Sequence, residues 1–192
     1  MGKIVVSENI SLDGVVQDPT GEEGFKHGGW FLNAGDRDRE EWAKVALDEA
    51  LGAQAWLLGR RSYEFFAARW PSRSGELAAR LNSLPKYVIS STLESPEWNN
   101  TTVLNGDPAD EVTKLKQEID GQIIVSASRQ LVRTLLEYDL VDELRLMVYP
   151  VVLGAGECLF GETSDKKPMR LIHTQTLGDG LAWLAYEVAR EA

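Results

Sequence analysis

Three short segments hold residues that could do chemistry: Gly59-Arg60-Arg61-Ser62, Ser90-Ser91-Thr92 and Ser126-Ala127-Ser128-Arg129. Each follows an apolar run, Trp56-Leu57-Leu58, Tyr87-Val88-Ile89 or Ile123-Ile124-Val125. Each supplies a small residue for close backbone approach and hydroxyl donors, and two add arginines whose planar fork suits a pair of phosphate oxygens. One such segment alone reads as an ordinary helix cap, and a lone arginine after a strand reads as a solvated charge. Three at the carboxyl edge of one parallel sheet, where helix N-termini present free N–H groups, instead suit a phosphorylated dinucleotide. The chain has no glycine-rich dinucleotide fingerprint of the usual spacing and no phosphate loop ending in Gly-Lys-Ser or Gly-Lys-Thr. A standard Rossmann dehydrogenase or a nucleotide triphosphatase is therefore disfavoured.

The elements that must position these segments alternate between two periodicities. A β-branched run at Ile4-Val5-Val6, continued to Ile10, predicts an opening strand, followed by an irregular glycine-bearing loop from Val15 to Asn33. Helical spacing of Trp42, Val45, Ala46 and Ala50 predicts a helix over 36–51, with acidic residues at its N-terminal end. Strands are expected at 55–58, 87–89, 102–104, 123–125 and 143–148, and helices at 61–68, 76–84, 110–119 and 130–138. Residues 169–176 and 181–188 read as a hairpin around Gly178-Asp179-Gly180. The series predicts one α/β domain over 1–192 with three layers, a mostly parallel central sheet and an antiparallel C-terminal hairpin.

Composition narrows the function classes. Thirty acidic against twenty basic residues give a net charge of −10, so an average surface repels a phosphate backbone and no nucleic-acid partner is expected. No run approaches the roughly 20 apolar residues of a membrane span, and the start is too polar for a signal-peptide core. The single Cys158 cannot make an internal bridge, in keeping with a cytoplasmic location, and with two distant histidines it builds no zinc-type cluster.

A set of ordered motifs carries a family resemblance: Ser11-Leu12-Asp13-Gly14, Gly59-Arg60-Arg61-Ser62-Tyr63-Glu64, Leu84-Pro85-Lys86-Tyr87-Val88-Ile89-Ser90, Leu140-Val141-Asp142-Glu143-Leu144-Arg145-Leu146, Pro150-Val151-Val152-Leu153-Gly154-Ala155-Gly156 and Leu159-Phe160. Over about residues 3–187 the chain resembles the bacterial dihydrofolate reductase-like family that shares its domain with the C-terminal reductase of bifunctional riboflavin biosynthesis enzymes. The resemblance implies a dihydrofolate reductase-like fold, a homodimer, and NADPH lying across the carboxyl edge of the sheet. It implies that Gly59, Arg60, Arg61 and Ser62 hold phosphates. It further implies that an arginine there and Ser90, Ser91 and Thr92 reach the 2′-phosphate, and that Ser126, Ala127, Ser128 and Arg129 receive the pyrophosphate. Relatives usually carry glycine, often a pair, where this chain has Ser126-Ala127. A side chain there costs about 1 kcal/mol or more if the backbone needs positive φ.

Hydride transfer demands a flat, water-poor pocket more than an acid, because the cofactor carries the hard chemistry. Trp30, Phe31, Tyr63, Phe66, Trp70, Tyr149 and Phe160 are candidate walls, each with a core role as the alternative; Tyr63, Trp70, Tyr149 and Phe160 are the substrate-side choices. Trp42 and Trp56 are assigned to the core. Asp13 either contacts a substrate amine or hydroxyl or closes an Asx turn with Gly14. Asp48 and Glu49, on the helix that bears the acid in dihydrofolate reductases, read as solvated charges. The 15–33 loop either closes over the nicotinamide or is a plain surface loop. The closest chemical reference is reduction of the ribosyl-aminopyrimidine intermediate of riboflavin synthesis. The chain is expected to start at the reductase, with no deaminase zinc set. A non-catalytic nucleotide-binding paralogue and a pterin reductase of the dihydrofolate reductase type stay open.

Overall fold

The computed structural model describes residues 1–189. Within them the strands β1 (Lys3–Ser11), β2 (Ala53–Gly59), β3 (Lys86–Ile89), β4 (Thr101–Leu104), β5 (Gln122–Ser126), β6 (Glu143–Tyr149), β7 (Met169–Leu177) and β8 (Leu181–Val188) form a sheet in the order β4-β3-β2-β5-β1-β6-β8-β7. The first six of these positions pair in parallel, and β8 runs antiparallel to both of its neighbours. The hairpin therefore lies at the end of the sheet, with its second strand inside and its first at the edge. The helices are α1 (Asp36–Gly52), α2 (Arg60–Ala67), α3 (Glu76–Ser83), α4 (Pro108–Glu118) and α5 (Arg129–Glu137).

Strand alternation sorts the core into layers. Ile4, Val6, Leu57, Ile123 and Val125 point to one face and are closed over by Val112 and Leu115 of α4 and by Val132 and Leu135 of α5. Val5, Trp56, Leu58 and Val88 point to the other, packed by Ala50 of α1, Tyr63 of α2 and Leu81 of α3. Central parallel strands are covered on both faces, which is why their sequences read as unbroken apolar runs. Each fully buried Leu or Ile contributes about 1.5–3 kcal/mol.

Local signals explain the helix starts. Pro108 opens α4 after Asp107, whose carboxylate accepts the N–H groups of Ala109 at 2.9 Å and Asp110 at 3.2 Å. In the first turn of α1, Asp38 is buried because its Oδ1 accepts the N–H groups of Asp179 at 2.6 Å and Gly180 at 3.2 Å. That contact ties α1 to the β7–β8 turn. It requires Gly178, where φ is +59° and a Cβ would stand 2.2 Å from the Asp38 carboxylate. No helix among the described residues is long and apolar enough to cross a membrane.

Candidate functional site

The three chemistry-bearing segments end β2, β3 and β5, and in the sheet those strands are neighbours in the order β3-β2-β5. Parallel pairing puts all three carboxyl ends on one rim. The segments are also bonded to one another. Gly59 N–H donates to Ser128 Oγ at 2.9 Å, and Ser128 N–H donates to Ser62 Oγ at 2.8 Å, joining the turn after β2 to the turn before α5. Arg60 bridges the other way: Nε donates to Glu64 at 2.8 Å and Nη1 to Thr92 Oγ1 at 2.5 Å. Ser90 Oγ in turn accepts the N–H groups of Thr92 and Leu93. Arg129 is ion-paired with Glu157, whereas Arg61 is exposed with no hydrogen-bond or ion-pair partner among the described residues.

All eleven rim residues line one cleft of 810 Å³ over this edge, within the size range of small-molecule and cofactor sites. The expected site of backbone strain shifts by one residue. Ser126 closes β5, and the left-handed pair is Ala127 (φ +51°) and Ser128 (φ +59°). The shift follows from the rung Ser7↔Ser126, which keeps Ser126 extended and leaves the turn to the next two residues.

The cleft enters the sheet where β1 and β5 part. Their pairing runs from Lys3↔Gln122 to Ser7↔Ser126 and stops, while β1 continues beside β6 to Ser11↔Tyr149. Glu8 and Asn9, just past the last rung, line the cleft. Glu8 is 8% exposed, and its Oε1 is buried without a hydrogen-bond partner. Burial lifts its carboxyl well above the usual range, a hydrogen bond from the Ala127 backbone acting the other way. The sequence reading passed over Glu8. A carboxylate in alternating register with Ile4, Val6 and Ile10 was the available signal.

On the opposite face of the sheet, Ser7 Oγ donates to Glu49 Oε2 at 2.7 Å, and Arg145 Nη1 reaches Glu49 Oε1 at 3.4 Å. Glu49 lines the cleft, and burial raises its carboxyl, with Ser7 and Arg145 opposing. The solvated role expected for Glu49 is thus incorrect. Glu49 lies one position before buried Ala50, on the side of α1 that meets the sheet, whereas Asp48 is exposed. Trp42 packs against the core cluster around Trp30 and Tyr149 as expected, but it is half-buried, lines the cleft as well and donates from Nε1 to Asn9 Oδ1 at 2.9 Å. Trp56 is core, and it forms part of the cleft wall as well.

Of the substrate-side candidates, Trp70 lines the cleft together with Phe31 and Phe66. Tyr63, Tyr149 and Phe160, and Asp13 with them, do not line it. Tyr63 is 3% exposed and packed beside Trp98, whose N–H its hydroxyl accepts at 3.1 Å. Tyr149 is buried edge-on against Trp30 at 5.2 Å. Phe160 is exposed, in a strand-free segment held by Arg133. Asp13 accepts Ser11 Oγ at 2.7 Å and the N–H groups of Leu153 and Gly154 at 3.1 and 2.8 Å. Led by the Ser11 bond, these contacts hold its carboxyl down at about 2. Asp13 staples two loops, a role neither of its expected readings described.

The 15–33 loop is an ordered strap. Buried Asp18 accepts the N–H groups of Glu23 and Phe25 at 3.0 Å each through its carboxylate, and that of Gly29 at 2.9 Å through its carbonyl. Trp30 Nε1 bonds Gln17 O at 3.0 Å, pinning the far end. The strap presents Val16 to Thr20, Glu22, Glu23, Phe31 and Leu32 to the cleft.

Comparison with known proteins agrees with this architecture. A riboflavin biosynthesis protein provisionally so assigned, from Shewanella sp. PV-4, superposes with a TM-score of 0.78 at 21% identity, covering 98% of this chain and 99% of its own. The diaminohydroxyphosphoribosylaminopyrimidine deaminase/5-amino-6-(5-phosphoribosylamino)uracil reductase of Thermotoga maritima gives 0.63 at 14% identity, with 98% of this chain covering 57% of that one. Dihydrofolate reductase from Enterococcus faecalis, a complex with NADP(H), gives 0.58 at 12% identity over 98% and 97% of the two chains. The fold is dihydrofolate reductase-like. The model of the RibD C-terminal domain matches residues 2–183, and the chain belongs to that family.

Proposed function

We propose that this protein is an NADPH-dependent reductase of a small, flat heterocyclic substrate, with the phosphoribosylamino-pyrimidine of riboflavin synthesis as the nearest chemical reference. The observation that carries this reading is the bonded rim at the ends of β3, β2 and β5, opening into the same cleft as the notch between β5 and β1. The residues present fit a phosphorylated nicotinamide nucleotide. The Ala127-Ser128 left-handed pair turns the start of α5 toward the rim, and Arg61 carries an uncompensated charge beside it.

Gly59, Ser62 and the Ala127–Arg129 turn would hold the pyrophosphate, and Arg61 with Ser91 and Thr92 the 2′-phosphate. When bound, NADPH supplies a hydride to an electron-poor carbon of the substrate. Phe31, Trp42, Phe66 and Trp70 form aromatic walls for a flat ring on the α1 face and exclude water from it. Glu49, buried and raised, is the group on that face able to hold a proton at its carboxyl while Ser7 and Arg145 fix its orientation. The strap over 15–33, anchored through Asp18, forms one wall of the cleft.

Six tryptophans, four of them on the cleft, make intrinsic fluorescence the direct test of cofactor binding. NADPH should quench it at micromolar concentration, and no quenching at millimolar NADPH defeats the reading. Loss of reduced-nicotinamide absorbance with the phosphoribosylamino-pyrimidine or with dihydrofolate then selects the substrate; binding without oxidation of either favours a non-catalytic paralogue.

A further inference from the structure

Glu8 is the one acid among the described residues with a buried side-chain oxygen that meets no partner, and it lines the cleft. A buried carboxyl oxygen left without a hydrogen-bond partner is costly, so its place in the middle of a core strand calls for a ligand group that completes it. Its position narrows the group. Alternation along β1 sends Ser7 toward Glu49 on the α1 face and therefore sends Glu8 to the opposite face, the face of α5. There it meets the Ala127 backbone, one residue from Ser128, which ties the α5 turn to Gly59 and Ser62. Glu8 thus abuts the proposed pyrophosphate turn and stands one residue beyond the point where β1 and β5 separate.

We infer that Glu8 is the residue that hydrogen-bonds the carboxamide of the reduced nicotinamide. The inference rests on the NADPH reading of the rim. A carboxamide presents one carbonyl acceptor and one N–H donor pair, and a neutral carboxyl presents the complementary O–H donor and carbonyl acceptor. Burial favours that neutral form, because no cation among the described residues is paired with Glu8, and the nearby Arg129 is committed to Glu157. Glu8 is accordingly a positioning residue: it sets which way the ring lies in the notch, and with it which face of the ring meets the substrate arm.

The test compares two ligands that differ only in the ring, NADPH and 2′-phospho-ADP-ribose, by calorimetry on the full chain carrying Glu8→Gln, Glu8→Leu or neither. Glutamine keeps one donor and one acceptor, and leucine keeps the volume. Glu8→Leu should weaken NADPH about tenfold, leave 2′-phospho-ADP-ribose within about twofold, and Glu8→Gln should restore NADPH to within about threefold. A measurement on the unaltered protein guards against a variant that fails to fold. The 3-acetylpyridine analogue of NADPH, which lacks the amide donor, should bind about tenfold more weakly than NADPH itself. Equal loss of both ligands in Glu8→Leu, unchanged NADPH affinity in that variant, or no discrimination against the analogue each overturns the role of Glu8 while leaving the cofactor reading intact. If the unaltered protein binds neither ligand, the cofactor reading fails, and the carboxamide role with it.

Discussion

Ser128 Oγ accepts the Gly59 N–H at 2.9 Å, joining residues 69 positions apart and locking the turn after β2 to the turn that begins α5. The bond defines the floor of the rim, and it is made by a residue in the left-handed region with φ +59°, directly after another at +51°. Two opposing terms therefore meet at adjacent positions, and substitution separates them.

Ala127→Gly removes a positive-φ penalty of about 1–2 kcal/mol and adds about 0.5–1 kcal/mol of backbone entropy, so unfolding free energy should rise by about 0.5 kcal/mol. Ser128→Gly gains the same relief and loses the bond to Gly59, worth about 1 kcal/mol, with the amide left unpaired. It should be neutral or destabilising. Chemical denaturation of the two variants checks the difference in sign, and two equal gains would show that the Ser128 bond contributes nothing.

Arg60 and Arg61 are adjacent in sequence and unlike in structure. Arg60 is held by Glu64 and Thr92, whereas Arg61 is unpartnered among the described residues. Arg61→Ala should cut the preference for NADPH over NADH by about tenfold to a hundredfold, the value of one charged hydrogen bond to the extra phosphate. Arg60→Ala should weaken both cofactors, because it releases Thr92 and with it the turn after β3. Titrations of both nucleotides against each variant decide it; equal losses in Arg61→Ala would place the 2′-phosphate elsewhere.

Glu8 makes stability depend on pH. Its folded carboxyl is raised well above the unfolded value of 4.5, so the unfolded chain ionises first as pH rises. The contribution of this site is fully favourable below pH 4.5 and is lost progressively from there up through the folded value. Glu8→Gln has no such dependence. The stability of the variant relative to the native chain should grow with pH above this point by at most about 1.4 kcal/mol per unit. Urea unfolding of both proteins across the range measures it, and a constant difference would mean that Glu8 ionises alike in the folded and the unfolded chain.

Arg145 lies between two buried carboxylates, 3.4 Å from Glu49 and 2.7 Å from Glu143, with its side chain 11% exposed. Arg145→Met should cost about 3–5 kcal/mol, since the acids stay buried after the cation is gone. Adding Glu49→Gln should recover about 1 kcal/mol or more if the two residues act as a unit. Strict additivity in the double-variant cycle would contradict that coupling.

Much of the architecture was written along the chain. Apolar triplets such as Ile123-Ile124-Val125 can be satisfied only by a strand covered on both faces, and the helical spacing in 36–51 only by an amphipathic helix. The order of the elements then requires a mostly parallel sheet. The rim segments were equally legible, because glycine, serine and arginine after an apolar run depend on local chemistry and on parallel strands sharing one edge.

What the sequence could not determine was which side chains look into the cleft. Tyr63 and Tyr149 have the composition of a ligand wall and lie in the core, while Glu8, Glu49 and Trp42 line the cleft. Asp13 went to a loop staple. Only the tertiary structure decided these, and the reason is physical. Strand order and register settle where β1 and β5 separate, and a shift of one residue sends a side chain to the opposite face of the sheet.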